Sequence, residues 1–449
     1  MRQLAVSIND KLVGHLREDN DLWQFGYASE WLASSESFDL SPALPRSTGL
    51  IADGASTRPV QWYFDNLLPE EAMRAIVADE ANIPAEDAFG LLAYFGAESA
   101  GSLVLRDPQS NALAEHGLKP LPLADLSRRI TGLPRASLTR DAPKRMSLAG
   151  AQHKMLVVLQ GEGLYEPLPA TPSTHILKPN HQGDDYPSSV INEYFTMRLA
   201  RALGLNVPAV MRMYVPEPVY LVQRFDRIVK ASSDEATRRH IIDSCQLLNT
   251  ARTFKYTAAQ PAALARAVAF CRAKAAARLH LYRWLVFNLL VGNGDNHLKN
   301  ISFMVGATGI EVAPAYDLLS TAAYDTRALG DHKARWPETP LAFALDGASQ
   351  FSGVHASHVL AAGRQLGLAT GTAQRELQRL CRGIAPAADQ LIAEITAENT
   401  ALSESSPDPL ATQASMAGEL RLLRTIRHVV IHDMARQLET PQPAGRTIR

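Results

Sequence analysis

At 449 residues the chain is too long for one small core, so two or three compact units are expected. Hydrophobic residues at 46%, charged residues at 20% and a formal net charge of −1 are ordinary for a globular protein, and whole-chain charge points to neither nucleic acid nor an anionic membrane. Cys245, Cys271 and Cys381 are far apart and lack CxxC spacing, which predicts buried, reduced thiols and excludes a disulfide framework.

The first residues, MRQLAVSINDKLVGHL, lack the apolar run and small-residue cleavage site of a signal peptide. No stretch approaches the roughly 20 apolar residues of a membrane span. A cytoplasmic protein with no membrane partner is expected. LAVSI and KLVGHL read as strands around an Asn-Asp turn, and the alternation returns near residues 101–105. Between them, DNLLPEEAMRAIVADEANI predicts a helix opening after Pro69. Residues 106–144, rich in Pro, Arg and polar side chains, read as a linker.

The texture changes from Ser147. KMLVVL (154–159), THILKP (174–179) and VYLVQRF (219–225) are apolar or alternating runs that predict strands. INEYFTMRLARALGL (191–205) has helical spacing and a stop at Gly204. Beyond about residue 240 the pattern reads as almost wholly helical to about residue 438, and the closing TPQPAGRTIR has the composition of a frayed tail.

The segment LLVGNGDNHLKN (289–300) breaks an apolar run with a cluster of polar groups. An Asp poised to accept a hydroxyl proton, with an Asn five residues later to hold a divalent cation, is a phosphotransferase catalytic-loop arrangement; Asp295 and Asn300 have that spacing. Asp317 in APAYDLLS supplies a second oxygen ligand on a later loop. Lys178, at the end of an apolar strand, offers a cation to nucleotide phosphates, and Glu193 on the following helix can orient it. The small residues of SLAGAQHK (147–154) let backbone N–H groups approach an anion, with Lys154 nearby. Each element alone has a structural reading: a helix cap, a turn serine, a surface lysine. The order in which they occur favours chemistry. His428 and His432 stand four apart on a helical pattern, but no Glu lies between them and no third ligand is evident, so zinc is not indicated.

SLAGAQHKMLV, HILKPN, NEYFTMRLARALGL, YLVQRFDR, NLLVGNGDNHLKNISF and APAYDLLST resemble the successive motifs of the HipA family, serine/threonine protein kinases that act as toxins of bacterial type II toxin–antitoxin modules. YFDNLLPE and FGLLAYFGAESAGSL resemble that family's N-terminal coupling region. The resemblance implies an α+β, bilobal protein-kinase-like fold. A mixed α/β coupling subdomain would occupy residues 1–140. A small β-sheet plus helix nucleotide lobe with the phosphate loop would follow at 141–226, a large all-helical C-terminal lobe with the catalytic loop at 227–440, and a tail at 441–449. It also implies ATP and Mg²⁺ as cofactors. Asp295 would be the catalytic base, Asn300 and Asp317 the metal ligands, and Lys178 the lysine on the phosphates. Ala149, Gly150, Ala151, Gln152, His153 and Lys154 would form the phosphate loop. Gln223, Arg224 and Phe225 would present backbone to adenine, while His297, Leu298, Lys299 and Tyr316 would complete the ATP contacts. Ser147 falls on the family's autophosphorylated, self-silencing serine. The partners implied are a helix-turn-helix antitoxin, operator DNA bound through the toxin–antitoxin complex, and a protein substrate in translation such as an aminoacyl-tRNA synthetase. A small-molecule phosphotransferase, which shares the Asp–His–Asn arrangement, and an idle kinase-like DNA-binding regulator are the alternatives. Gln223 stands where a Glu is common, and His153 replaces a frequently smaller residue or a Pro or Glu.

Overall fold

The computed structural model describes residues 1–109, 115–144, 152–229, 236–404 and 409–439. Its N-terminal part is an antiparallel sheet in the spatial order Leu50–Ala52, Leu22–Tyr27, Lys11–Asp19, Arg2–Ile8, Leu103–Arg106. Asn9 and Asp10 join the first two strands, and both hold the positive φ that a two-residue hairpin requires. Alternation buries Leu4, Val6, Leu16, Trp23 and Phe25 on one face, where the short helices Pro59–Asp65 and Ala88–Phe95 cover them. The helix expected after Pro69 runs Glu71–Ala81.

The smaller lobe is a second sheet, ordered Val210–Tyr214, Pro218–Gln223, His175–Pro179, Met155–Gln160, Gly163–Pro167, Leu118–Pro120. Residues 106–144 are therefore more than a linker. The strand Leu118–Pro120 pairs with Gly163–Pro167, and the helix Leu123–Thr131 inserts Leu126 and Ile130 into a core shared with Met155, Val157, Leu177 and Leu221. The apolar spacing of LADLSRRI drives that burial. Helix Ser189–Ala202 lies under the sheet and ends before Gly204, whose φ is +78°.

The C-terminal lobe is helical in bulk but not all-helical. Strands Ile241–Asp243, Ser302–Gly306 and Gly309–Val312 form a small antiparallel sheet, and Pro340–Leu345 pairs with Ala348–Gln350. These strands are three to six residues long, too short for alternation to stand out from the surrounding Ala- and Leu-rich sequence. The buried helix Lys274–Leu290 packs against the 35-residue helix Thr370–Glu404. That long helix also touches Ser189–Ala202, where Arg198 meets Glu394 and Glu398 at 2.8 and 2.5 Å. One hydrophobic core runs from the N-terminal sheet into this lobe. The three cysteines are free and buried, as their spacing predicted. No helix among the described residues is long and apolar enough to cross a membrane. The last ten residues, expected to fray, lie outside the described residues. The architecture is α+β, bilobal and protein-kinase-like, with an added N-terminal part.

Candidate active site

A cavity of about 1250 Å³ opens between the lobes. Strand His175–Pro179 delivers Lys178 to its wall. There the ammonium meets both oxygens of Glu193, at 2.8 and 3.0 Å, and Asp317 Oδ1 at 2.6 Å. Burial alone would make Lys178 a weaker base, but the Asp317 and Glu193 carboxylates reverse the sign and raise its pKa above the usual lysine range. Burial likewise opposes ionisation of Asp317, yet Lys178 and Lys154 bring its pKa down to about 2. Asp317 sits at φ +57°, a conformation uncommon for a residue with a side chain and frequent at functional sites.

The polar cluster of the sequence is a tight loop leaving helix Lys274–Leu290. Gly292 has φ +65°, and a Cβ there would lie 2.5 Å from Val430 Cγ1, so only glycine turns the chain here. Asn293 braces the turn, donating to Asn288 Oδ1 at 2.7 Å and accepting from the Asp295 amide at 3.0 Å. Thr321 Oγ1 accepts the Gly294 amide at 2.6 Å. Asp295 thus faces the cavity. Burial raises its carboxyl pKa to about 6; the Tyr256 hydroxyl, donating to Oδ1 at 2.6 Å, pulls against that, and Asp317 adds to it. Asn300 donates through Nδ2 to the Asp295 carbonyl at 2.8 Å, which leaves its amide oxygen as the group offered to a cation. His297 is held neutral, its pKa lowered by burial and by Lys255 to about 4.

At the opposite end the rings of Phe225 and Tyr316 stand 5.6 Å apart, tilted by 36°, as an aromatic platform. The Gln223 and Arg224 amides donate to the Ala209 and Thr174 carbonyls, so neither is free to meet a ligand. The Arg224 side chain turns away into a buried cluster, meeting Asp226 at 2.6 Å and Glu98 at 3.3 Å. Gln152 and Lys154 line the cavity. Burial and the Lys178 charge lower the Lys154 pKa to about 8, a cation that an arriving polyphosphate would stabilise.

Three expected contacts are not brought to the cavity in the expected form. Leu298 is fully buried in the core and does not line it. His153 does not line it either. Lys299 reaches it, but its ammonium is taken by Asp243 Oδ2 at 2.6 Å and by the Asn66 carbonyl and Oδ1 at 2.9 and 2.8 Å. Its work is to fasten the loop to the N-terminal part. Ser147, Ala149, Gly150 and Ala151 lie outside the described residues. Tyr256, Glu70 and Asn66 were not foreseen; no periodicity or spacing marks FKYT as part of a site, and the contacts span 39 to 233 residues.

The donor set fits a magnesium ion. Among the described residues no group of three or more His, Cys, Asp or Glu could form an all-protein cage. Mg²⁺ takes one or two carboxylate or amide oxygens and completes its shell with phosphates and waters, which is what Asp317 and Asn300 on one cavity can supply.

Comparison with known proteins places the chain in a family. Residues 146–390 match the HipA-like C-terminal domain and residues 4–106 the HipA N-terminal domain. The chain is 30% identical over 411 residues to the serine/threonine-protein kinase toxin HipA of Shewanella oneidensis, spanning 87% of this chain and 89% of that one. It is 35% identical over 339 residues to the putative kinase Y4mE of Sinorhizobium fredii, covering 72% and 78% respectively. The solved structure of Shewanella oneidensis HipA with HipB and operator DNA superposes with a TM-score of 0.74 at 28% identity, covering 97% of this chain and 100% of that chain. With both domains matched in order and the fold shared end to end, the chain belongs to the HipA family of serine/threonine kinase toxins.

Proposed function

We propose that this protein is an ATP- and Mg²⁺-dependent serine/threonine protein kinase that arrests growth by phosphorylating a component of translation, such as an aminoacyl-tRNA synthetase. The observation that carries the reading is the convergence of Asp295, Asn300, Asp317 and the Lys178–Glu193 pair on one cavity. Asp295 accepts the proton of the substrate hydroxyl as that oxygen attacks the γ-phosphorus, whose bond to the β,γ-bridging oxygen breaks so that ADP leaves. Asn300 and Asp317 would hold Mg²⁺ through their oxygens, and the chemistry it would supply there is neutralisation of phosphate charge. Lys178 and Lys154 face the same phosphates, with the segment from Ala149 to Lys154 as their cradle. Phe225 and Tyr316 hold the base. The choice of a translation component rests on the family resemblance, because phosphate chemistry does not select a substrate.

Regulation follows the same reading. Ser147 is the autophosphorylation site. A helix-turn-helix antitoxin neutralises the kinase, and the pair binds operator DNA; support comes from the similar Shewanella oneidensis protein, solved with HipB and its operator. The test is incubation of the purified chain with bacterial lysate and labelled ATP, with and without Mg²⁺, read by phosphoproteomics. Metal-dependent phosphoserine or phosphothreonine on a translation protein is expected. Label appearing only on small molecules would transfer the reading to a small-molecule phosphotransferase.

A further inference from the structure

Residues 250–256 are gripped on two sides by parts of the chain that lie far apart in sequence. From the N-terminal part, Asp65 Oδ2 takes Arg252 Nε at 2.9 Å, and Asn66 Nδ2 donates to the Thr250 carbonyl at 3.2 Å. Glu70 Oε2 and Glu71 Oε1 take the Lys255 ammonium at 2.7 and 2.9 Å. From the catalytic loop, the Leu298 amide donates to the Lys255 carbonyl at 3.2 Å, and the His297 ring meets the Tyr256 ring edge-on at 4.8 Å. The Tyr256 hydroxyl closes the clasp on Asp295.

We infer that the N-terminal part belongs to the phosphoryl-transfer machinery, with Glu70 and Tyr256 as positioning residues that seat the Asp295 carboxylate through Lys255. The inference rests on the kinase reading of Asp295. A carboxylate with one oxygen held by a short donor presents the other in a fixed direction, and 2.6 Å is the length of a charge-assisted O–H···O⁻ bond. Tyr256 can serve only if its own ring is fixed. Lys255 stands 5.1 Å over that ring and His297 abuts its edge. Lys255 in turn depends on Glu70, which is 2% exposed and also lies 3.3 Å from Lys299, four residues after Asp295 in the same loop. One buried carboxylate thus supplies counter-charge both to Lys255 and to Lys299 of the catalytic loop. Removing it leaves Lys299 with Asp243, but leaves Lys255 with only the more exposed Glu71.

The experiment compares wild type, Tyr256→Phe, Glu70→Gln and the double variant in steady-state phosphoryl transfer from Mg²⁺–ATP. Hydrogen exchange over residues 293–300 and thermal melting are measured on the same samples. Tyr256→Phe should lower kcat about tenfold to a hundredfold, the scale of a small misplacement of a reacting group, with KM for ATP and melting unchanged. Glu70→Gln should give the same split and faster exchange in the loop, and the double variant should lose less than the product of the singles. An unchanged kcat in Tyr256→Phe, or a matching rise in KM for ATP, overturns the inference. If wild type transfers no phosphate at all, the kinase reading fails by itself. The exchange arm then decides the clasp: unaltered exchange at 293–300 in Glu70→Gln overturns it.

Discussion

Lys178 and Asp317, 139 residues apart, meet at 2.6 Å across the cleft, in addition to the contacts that Asn192, Arg198 and Arg212 make between the smaller lobe and the larger one. Glu193 completes the triad from the smaller lobe's own helix. Lys178→Met would leave two carboxylates close together and short of a cation, a loss of about 3–5 kcal/mol for a buried pair broken on one side. Glu193→Gln keeps Lys178 on Asp317 and should cost about 1–3 kcal/mol. Urea unfolding of the two variants should show that order, and nucleotide titration should show the larger loss of affinity in Lys178→Met. The reverse order would mean that Glu193, not Asp317, is the indispensable partner.

Asp295→Asn should abolish phosphoryl transfer and growth arrest while the fold and nucleotide binding persist. The amide is of nearly equal volume and can still accept the Tyr256 hydroxyl, but it cannot take a proton from an attacking oxygen. Transfer from labelled ATP, nucleotide affinity and growth on induced expression are the three measurements. Growth arrest as strong as wild type would remove the link between this loop and toxicity.

Acid should loosen the N-terminal part through His240. Its Nδ1 meets Ser102 Oγ at 2.9 Å, and its Nε2 lies 3.1 Å from the Tyr63 hydroxyl and 3.0 Å from the Leu40 carbonyl. Burial brings its pKa down to about 4. In the unfolded chain His240 binds a proton below about 6.5, whereas the native chain refuses one until about 4. The stability this neutral ring contributes is therefore complete above pH 6.5 and is lost as pH falls towards 4, at about 1.4 kcal/mol per unit within that window. Urea unfolding at pH 7.5 and 5.5 should differ by on the order of 1 kcal/mol more in wild type than in His240→Gln. Equal differences would mean the ring takes up its proton in the folded chain.

The residues legible in the sequence were those whose neighbours in space are also fixed by a local pattern. Lys178 ends a strand and Glu193 opens the next helix, so a strand–helix unit brings them together with little help from the rest of the chain. Lys299 misleads for the opposite reason. Its place between His297 and Asn300 suggests a phosphate contact, but its ammonium goes to Asn66, 233 residues away, a pairing no local periodicity encodes. Leu298 follows the plainer rule that an apolar side chain in a tight loop turns into the core. The small strands of the C-terminal lobe were lost because a run such as IID is too short to carry a period, and its pairing partner, Ser302–Gly306, lies far along the chain.

Autophosphorylation at Ser147 should silence the enzyme without touching Asp295. Ser147 lies between two tethered points. Three residues before it, Lys144 is fully buried, its ammonium 2.5 Å from Glu98 Oε2 and 2.9 Å from the Thr171 carbonyl. Five residues after it, Gln152 lines the cavity and donates to the Pro179 carbonyl at 3.4 Å. A phosphate on Ser147 adds close to two negative charges at neutral pH, a few residues in sequence before the cavity-lining Gln152 and Lys154. The new charge competes for the same donors, Lys154 among them, and repels the nucleotide. Prolonged incubation with Mg²⁺–ATP should therefore yield a chain one phosphate heavier that no longer binds ATP, while Ser147→Ala stays at its original mass and keeps its affinity. Intact-mass measurement and nucleotide titration on one sample read both halves. A chain fully phosphorylated on Ser147 that binds ATP as well as before would leave this serine with no regulatory part.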